Sequence, residues 1–181
     1  AMAAIIGSDI NQIESLIAAF NLKKLSKIVQ IANDNAPGQI VVSGHKQAVV
    51  TLCEMAKLAG VKKSLMLPVS APFHCDLMAP AADIMATELA KCDFATPQLK
   101  IFCNVTALFE DDVKQLRLNL VAQVTARVRW RETIINLAQN GVTNFVEIGT
   151  GKVLSGLVKR IIPDAQTNSL QSFQDITEYF S

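Results

Sequence analysis

Short apolar runs and helical stripes alternate along this chain. Met2 to Gly7 is small, branched and apolar, and predicts a strand. Asp9 can cap a helix, with Gln12 three residues on as a capping-box partner. Ile10, Ile13, Leu16, Ile17 and Phe20 then share one helical face. Ile28 to Ala32 predicts a second strand, Asn33 to Gly38 a turn, and Gln39 to Gly44 a third strand. Val49, Leu52, Ala56 and Ala59 mark a second helix, closed by Gly60. Ser64 to Val69 predicts a fourth strand, buried and bounded by prolines. The order β-α-β-β-α-β is a ferredoxin-like pattern over residues 2 to 69.

The rhythm then changes. Pro80 can open a helix whose stripe is Met78, Ala81, Met85, Leu89 and Cys92. Leu99, Ile101, Cys103 and Val105 alternate as a strand. Asp111 or Asp112 can begin a helix with Val113, Leu116, Leu120 and Val124 inward, and Trp130 opens another that ends at Gly141. Asn144 to Ile148 predicts a strand, Lys152 to Ile161 a helix, and Thr167 to Leu170 a short strand. Ser172 with Asp175 caps a last helix. Strands alternating with helices predict an α/β layer with a largely parallel sheet. With roughly three strands, that sheet looks incomplete.

Composition narrows the function classes. Half of the 181 residues are hydrophobic, enough for a real core. Lys and Arg number 17 against 16 Asp and Glu, so the net charge is +1. No basic excess points to nucleic acid, and no polybasic block points to a membrane surface. No apolar run approaches the ~18 residues of a membrane-spanning helix, and no signal peptide pattern occurs. Cys53, Cys75, Cys92 and Cys103 contain no C-x-x-C pair, so no zinc site is expected. Three of the four lie in apolar surroundings and read as small core residues, which suits a reducing cytosol. The chain opens directly on a core strand and reads as cut from something longer.

The chemistry centres on Leu67-Pro68-Val69-Ser70-Ala71-Pro72-Phe73-His74-Cys75. Pro72 offers no donor to a sheet, so the strand stops near Ser70. His74 follows just past the strand end, where functional side chains of α/β proteins collect. Spacing alone slightly favours a structural loop histidine. Cys75 is a poor partner, because adjacent residues in extended chain point apart. His45 sits between a strand and a helix and reads as a surface or capping residue. Gly149-Thr150-Gly151-Lys152 lacks the remaining residues of a phosphate loop and reads as a strand-to-helix turn, whose helix start could still face an anion. A G-x-S-x-G elbow is absent: Val153 fills the first glycine position before Ser155. The residues supply a candidate base without its nucleophile.

Four stretches in this order carry a resemblance. They are Ala1 to Gly7, Asn35-Ala36-Pro37-Gly38-Gln39-Ile40-Val41-Val42-Ser43-Gly44, Leu67 to Cys75, and Gly149-Thr150-Gly151-Lys152-Val153-Leu154. Together they resemble the malonyl-CoA:acyl carrier protein transacylases of bacterial fatty-acid synthesis, over nearly all of this chain and about the C-terminal three-fifths of that family's. The resemblance implies a partial hydrolase-like α/β large domain, residues 70–181, and a ferredoxin-like α+β small domain, residues 1–69. It implies a cytoplasmic acyltransferase with malonyl-CoA and acyl carrier protein as partners, no cofactor, no metal and no membrane. His74 matches the histidine that activates a serine in a G-H-S-x-G elbow. Gln123 matches a glutamine whose main-chain carbonyl orients that histidine. Asn35, Asn104 and Phe73 match positions near the substrate, and Phe73 one that goes with malonyl over methylmalonyl.

The resemblance also marks what these residues do not include. The serine elbow, the glutamine-rich loop of the oxyanion hole and the arginine for the malonyl carboxylate belong to the family's N-terminal part. Arg127 stands where the family tends to have proline. The expectation is an inactive portion of an acyltransferase. The alternatives are a non-catalytic ligand- or partner-binding module and a truncated pseudoenzyme.

Overall fold

Pairing and burial, rather than turn propensity, decide the first sheet. In the computed structural model, which describes residues 1–22 and 26–181, β1 (Met2–Ile6) leads to α1 (Ile10–Asn21), β2 (Val29–Ala36), β3 (Gln39–Gly44), α2 (Lys46–Leu58) and β4 (Lys63–Met66). The four strands order as β2-β3-β1-β4, with every neighbouring pair antiparallel. This is the ferredoxin-like arrangement. Ile5, Ile40 and Val42 pack against Ile13 and Phe20 of α1 and Val49, Leu52 and Ala56 of α2. Each large side chain so buried contributes roughly 1.5–3 kcal/mol. The Asp9 carboxylate caps α1 by accepting the Gln12 N–H at 2.8 Å. The Gln12 side chain does not close a capping box. It donates to the Ala59 carbonyl at 3.1 Å and so ties the start of α1 to the end of α2.

Two strands depart from the reading above. The expected turn at Asn33 to Gly38 is mostly strand: β2 runs on to Ala36, with register shifts at Ile31/Asn33 and Asp34/Ala36. Only Pro37 and Gly38 turn the chain, Gly38 at φ +70. The extension has a physical cause. Asp34 N–H donates to the Val128 carbonyl at 3.0 Å and Val128 N–H to the Ala32 carbonyl at 2.8 Å, so β2 has partners on both sides there. Tertiary pairing overrides the turn preference of Asn and Asp. The fourth strand is shorter than expected and not buried. Leu65 and Met66 are each 45% exposed, because β4 is a marginal strand paired only with β1 among the described residues.

Beyond β4 the chain forms a 3-10 turn (Asp76–Met78) and α3 (Ala79–Leu89). The stripe expected on α3 is only partly covered: Met78, Ala81 and Leu89 are half-buried, Met85 is 40% exposed, and no residue of the helix is fully buried. β5 (Ile101–Cys103) pairs antiparallel with β6 (Leu108–Glu110), a strand that the alternation did not predict. α4 (Val113–Gln123) follows, capped by the Asp112 carboxylate on Lys114 N–H. α5 (Trp130–Gln139) then leads to β7 (Asn144–Ile148), α6 (Val153–Ile161), β8 (Gln166–Leu170) and α7 (Phe173–Phe180). β7 and β8 are parallel, so among the described residues the parallel part of the expected layer is this one strand pair. Ser172 and Asp175 form the predicted capping box of α7.

The chain divides into two compact units, Ala1–Thr133 and Ile134–Ser181. Of the free cysteines Cys75 is buried, Cys53 and Cys103 are half-buried and Cys92 is exposed. Burial pushes the Cys53 thiol pKa up. Among the described residues no helix is long and apolar enough to cross a membrane, and no cluster of side chains could hold a metal ion.

Gly44 closes β3 where the backbone of Ile28 crosses it. A Cβ there would sit 2.1 Å from the Ile28 carbonyl oxygen. Gly44→Ala is expected to destabilise the first unit by roughly 3 kcal/mol, since backbone cannot yield as a side chain can. Chemical denaturation measures it, and a loss under about 1 kcal/mol would contradict the rigidity of this crossing.

Candidate functional site

The loop after β4 bends sharply to present one imidazole. His74 has φ +57, a left-handed conformation that costs a non-glycine residue roughly 1–2 kcal/mol. Its neighbours hold it there. Cys75 is fully buried, and its thiol donates to the Pro72 carbonyl at 3.2 Å. Asp76 N–H donates to Gln30 Oε1 at 2.8 Å, and Gln30 Nε2 donates back to Asp76 Oδ2 at 2.9 Å. The loop is thereby fastened to β2.

The His74 ring meets the end of α4. Its Nδ1 lies 3.0 Å from the main-chain oxygen of Gln123. A carbonyl can only accept, so Nδ1 carries the hydrogen and Nε2 of the neutral ring keeps its lone pair. The Gln123 carbonyl is available because helix ends leave their last carbonyls without helical partners. The N–H groups of Val124, Thr125 and Ala126 turn back to Val121 and Ala122 instead. The Gln123 side chain tightens the same turn by donating to the Ala126 carbonyl at 3.1 Å. Four residues past Gln123, Arg127 leads into Val128, which is paired with β2.

His74 is half-buried and lines a cleft of about 600 Å³. Glu14, Ile17 and Asn21 of α1, Gln30 of β2, and Thr125 and Arg127 form its walls. Arg127 reaches Glu14 at 3.3 Å and Glu132 at 3.6 Å, and Arg129 also pairs with Glu132. These part-exposed pairs contribute about 0–1 kcal/mol each. A lone pair on a ring held in one tautomer, at the wall of an open cleft, can take a proton from a hydroxyl or thiol.

The other expected residues are placed differently. Phe73 is 43% exposed beside His74. Asn35 is in β2 rather than in a turn, as the unpaired residue between Asp34 and Ala36. Asn104 lines a separate, mostly apolar cavity of about 290 Å³ together with Gln123, Leu116 and Phe94. Neither asparagine shares a hydrogen bond with His74 among the described residues. His45 does not cap α2 with its side chain: its Nδ1 accepts the Ile28 N–H at 2.9 Å. Sequence reasoning missed Gln30, Asp76 and the pair Asp34–Arg131. Asp34 is fully buried, and Arg131 grips it through Nε and Nη2 at 2.7–3.0 Å. That contact raises the Arg131 pKa further. Local spacing holds no signal for partners 97 residues apart.

The start of α6 does not await an outside anion. The Glu147 carboxylate of β7 accepts the N–H groups of Leu154 at 3.1 Å and Ser155 at 2.7 Å. Those donors hold its carboxyl below the usual carboxylate range. Gly151 N–H is taken by the Gln171 side chain at 3.0 Å. The helix start does face an anionic group, and the chain itself provides it.

Comparison with known proteins adds a consistent likeness. No family model matches the chain. It is 41% identical over 182 residues to the malonyl CoA-acyl carrier protein transacylase of Haemophilus influenzae, covering 99% of this chain and 57% of that protein. It is 42% identical over 170 residues to the corresponding protein of Escherichia coli (strain K12), covering 94% and 54%. Its fold matches an acyl-carrier-protein-S-malonyltransferase from Bartonella henselae with TM-score 0.92 and 42% identity, over 99% of this chain and 56% of that one. It also matches a type II PKS acyl-carrier protein complex with its malonyl-transacylase, at TM-score 0.91 and 37% identity, over 98% and 56%. The chain spans about half the length of the curated relatives it matches. The fold is accordingly a ferredoxin-like domain with part of a hydrolase-like α/β domain.

Glu147 provides a pH test. A carboxyl with a depressed folded pKa stabilises above its ordinary value near ~4.3, and the stabilisation is lost as pH falls through the folded value. Glu147→Gln is expected to flatten the fall of stability below about pH 4.3. It should also speed hydrogen exchange at the Leu154 and Ser155 amides at neutral pH. Unchanged exchange at both amides would show that the carboxylate does not hold the helix start.

Proposed function

We propose that this chain carries the histidine base of a malonyl-CoA:acyl carrier protein transacylase. The observation that supports the reading is the His74 Nδ1 to Gln123 carbonyl contact of 3.0 Å at the wall of an open cleft. The proposed nucleophile is a serine from the portion of the relatives that this chain does not span. His74 Nε2 takes the proton of that serine as its oxygen attacks the thioester carbonyl of malonyl-CoA. The C–S bond breaks, and the coenzyme A thiolate receives the proton from the imidazolium. In the second half the phosphopantetheine thiol of acyl carrier protein gives its proton to Nε2 and attacks the seryl ester. The serine leaves with the proton restored. This is covalent ping-pong catalysis, and it calls for no metal and no cofactor.

Gln123 orients the ring and its carbonyl dipole steadies the imidazolium, where serine proteases use a carboxylate. Residues 1–69 act as the small domain and 70–181 as part of the large one. Asn35 and Asn104 are assigned to substrate contact on the strength of the resemblance, from outside the walls of the His74 cleft. Phe73 is assigned to acyl selection, since a ring beside His74 would crowd an α-methyl group. Such a reaction belongs in the cytoplasm, with no nucleic acid or membrane as partner.

The test is a chimera in which residues 1–181 follow the unmatched portion of a relative. Malonyl-CoA should label its serine and pass the group to acyl carrier protein, whereas residues 1–181 alone should transfer nothing. His74→Ala in the chimera should slow labelling about 10²- to 10⁴-fold, the usual worth of a general base. Labelling at the unaltered rate would rule out His74 as the base. Phe73→Ala should raise methylmalonyl use relative to malonyl by roughly 10- to 100-fold, as expected for one methyl group. Competition between the two thioesters measures it, and an unchanged ratio removes Phe73 from selection.

A further inference from the structure

The left-handed turn at His74 needs something to hold it, and the loop's own bonds do not reach the ring's partner. Both halves of the His74–Gln123 contact are fastened to a single strand. Gln30 of β2 holds Asp76, two residues past His74. Ala32 and Asp34 of the same strand hold Val128, five residues past Gln123. Within five residues, β2 therefore sets where the imidazole and its carbonyl meet. The Gln30–Asp76 pair is exposed, so its part in global stability is small. Its effect is local.

We infer that Gln30 is a positioning residue for His74: through Asp76 it holds the loop in the turn that aims Nδ1 at the Gln123 carbonyl. The inference rests on the reading of His74 as a base. The chemistry of the clamp is specific. The Gln30 amide accepts from the Asp76 N–H through its oxygen and donates to the Asp76 carboxylate through its nitrogen. A carboxylate at position 30 would keep the first bond, lose the second and repel Asp76. If Asp76 also became an amide, the polarity would be exchanged and both bonds restored.

The readout is the tautomer of His74, which requires no acyl transfer. The chain has two histidines, and the structure gives them opposite tautomers. His74 carries its hydrogen on Nδ1, facing a carbonyl. His45 carries it on Nε2, because its Nδ1 accepts the Ile28 N–H. Nitrogen-15 labelling of histidine with long-range proton–nitrogen correlation, recorded on residues 1–181 above the imidazole titration range, distinguishes the two. His45 serves as the internal reference.

Gln30→Ala and Gln30→Glu are each expected to lower the Nδ1–H preference of His74 about tenfold, the size of one neutral hydrogen bond, with His45 unchanged. The double variant Gln30→Glu with Asp76→Asn is expected to return His74 to its original signal. A merely structural Gln30 would lower the melting temperature and leave the tautomer alone. An unchanged Nδ1–H signal in folded Gln30→Ala, verified by circular dichroism, would overturn the clamp and leave the proposed function standing. Failure of the double variant to restore the signal would likewise overturn it. Absence of the Nδ1–H signal in the unaltered chain would instead overturn the orientation of His74 by Gln123, and the clamp with it.

Discussion

A carbonyl group has no hydrogen to give, and that single limitation organises the site. Because Gln123 can only accept, the ring that meets it at 3.0 Å must donate from Nδ1. The opposite nitrogen is then committed to accepting. The two residues lie 49 positions apart, one in a loop and one at a helix end. Neither segment could hold the geometry unaided. The loop stores left-handed strain at His74, and a helix terminus frays unless something fixes it. The outer strand of the ferredoxin-like sheet provides the common frame. The sheet thus shapes the proposed base while contributing no reactive atom of its own.

How far this was legible in the sequence depends on the range of each interaction. The β-α-β-β-α-β order and most helix boundaries follow from periodicity and caps, because those signals lie within a few residues. Asp9, Asp112 and the Ser172–Asp175 box cap their helices as read. The extension of β2 through Asn33 and Asp34 was not legible, since it depends on Val128 far along the chain. Nor was the exposure of β4 and α3, because an apolar run records only that a surface avoids water, not what covers it. His74 could be singled out by its place after a strand. Gln123 came only through resemblance, as a backbone carbonyl leaves no mark in a sequence. Gln30 is one polar residue in an ordinary strand, and nothing local distinguishes it.

The charged residues serve the architecture more than they advertise a ligand. Arg131 satisfies the buried Asp34 in a two-pronged pair while remaining partly exposed itself. Arg127, Arg129, Glu14 and Glu132 form a linked, part-exposed set, with Glu14 and Arg127 at the cleft wall. Glu147 fills the start of α6. With 17 basic and 16 acidic residues, the chain is close to neutral overall. A chain so balanced sets up no strong overall field of one sign for steering a charged ligand.

The sheet's two margins differ, and the difference bears on solution behaviour. Val128 bonds to β2 and blunts one rim. The opposite rim is β4, with Leu65 and Met66 half in water and no partner strand beyond it among the described residues. An unguarded rim of this kind is a template for lateral addition of another chain. Two features limit the hazard: β4 has only four residues, and Lys62 and Lys63 stand at its entrance as gatekeepers. At this margin, lateral addition is governed by a short hydrophobic border and the two ammonium groups that patrol it.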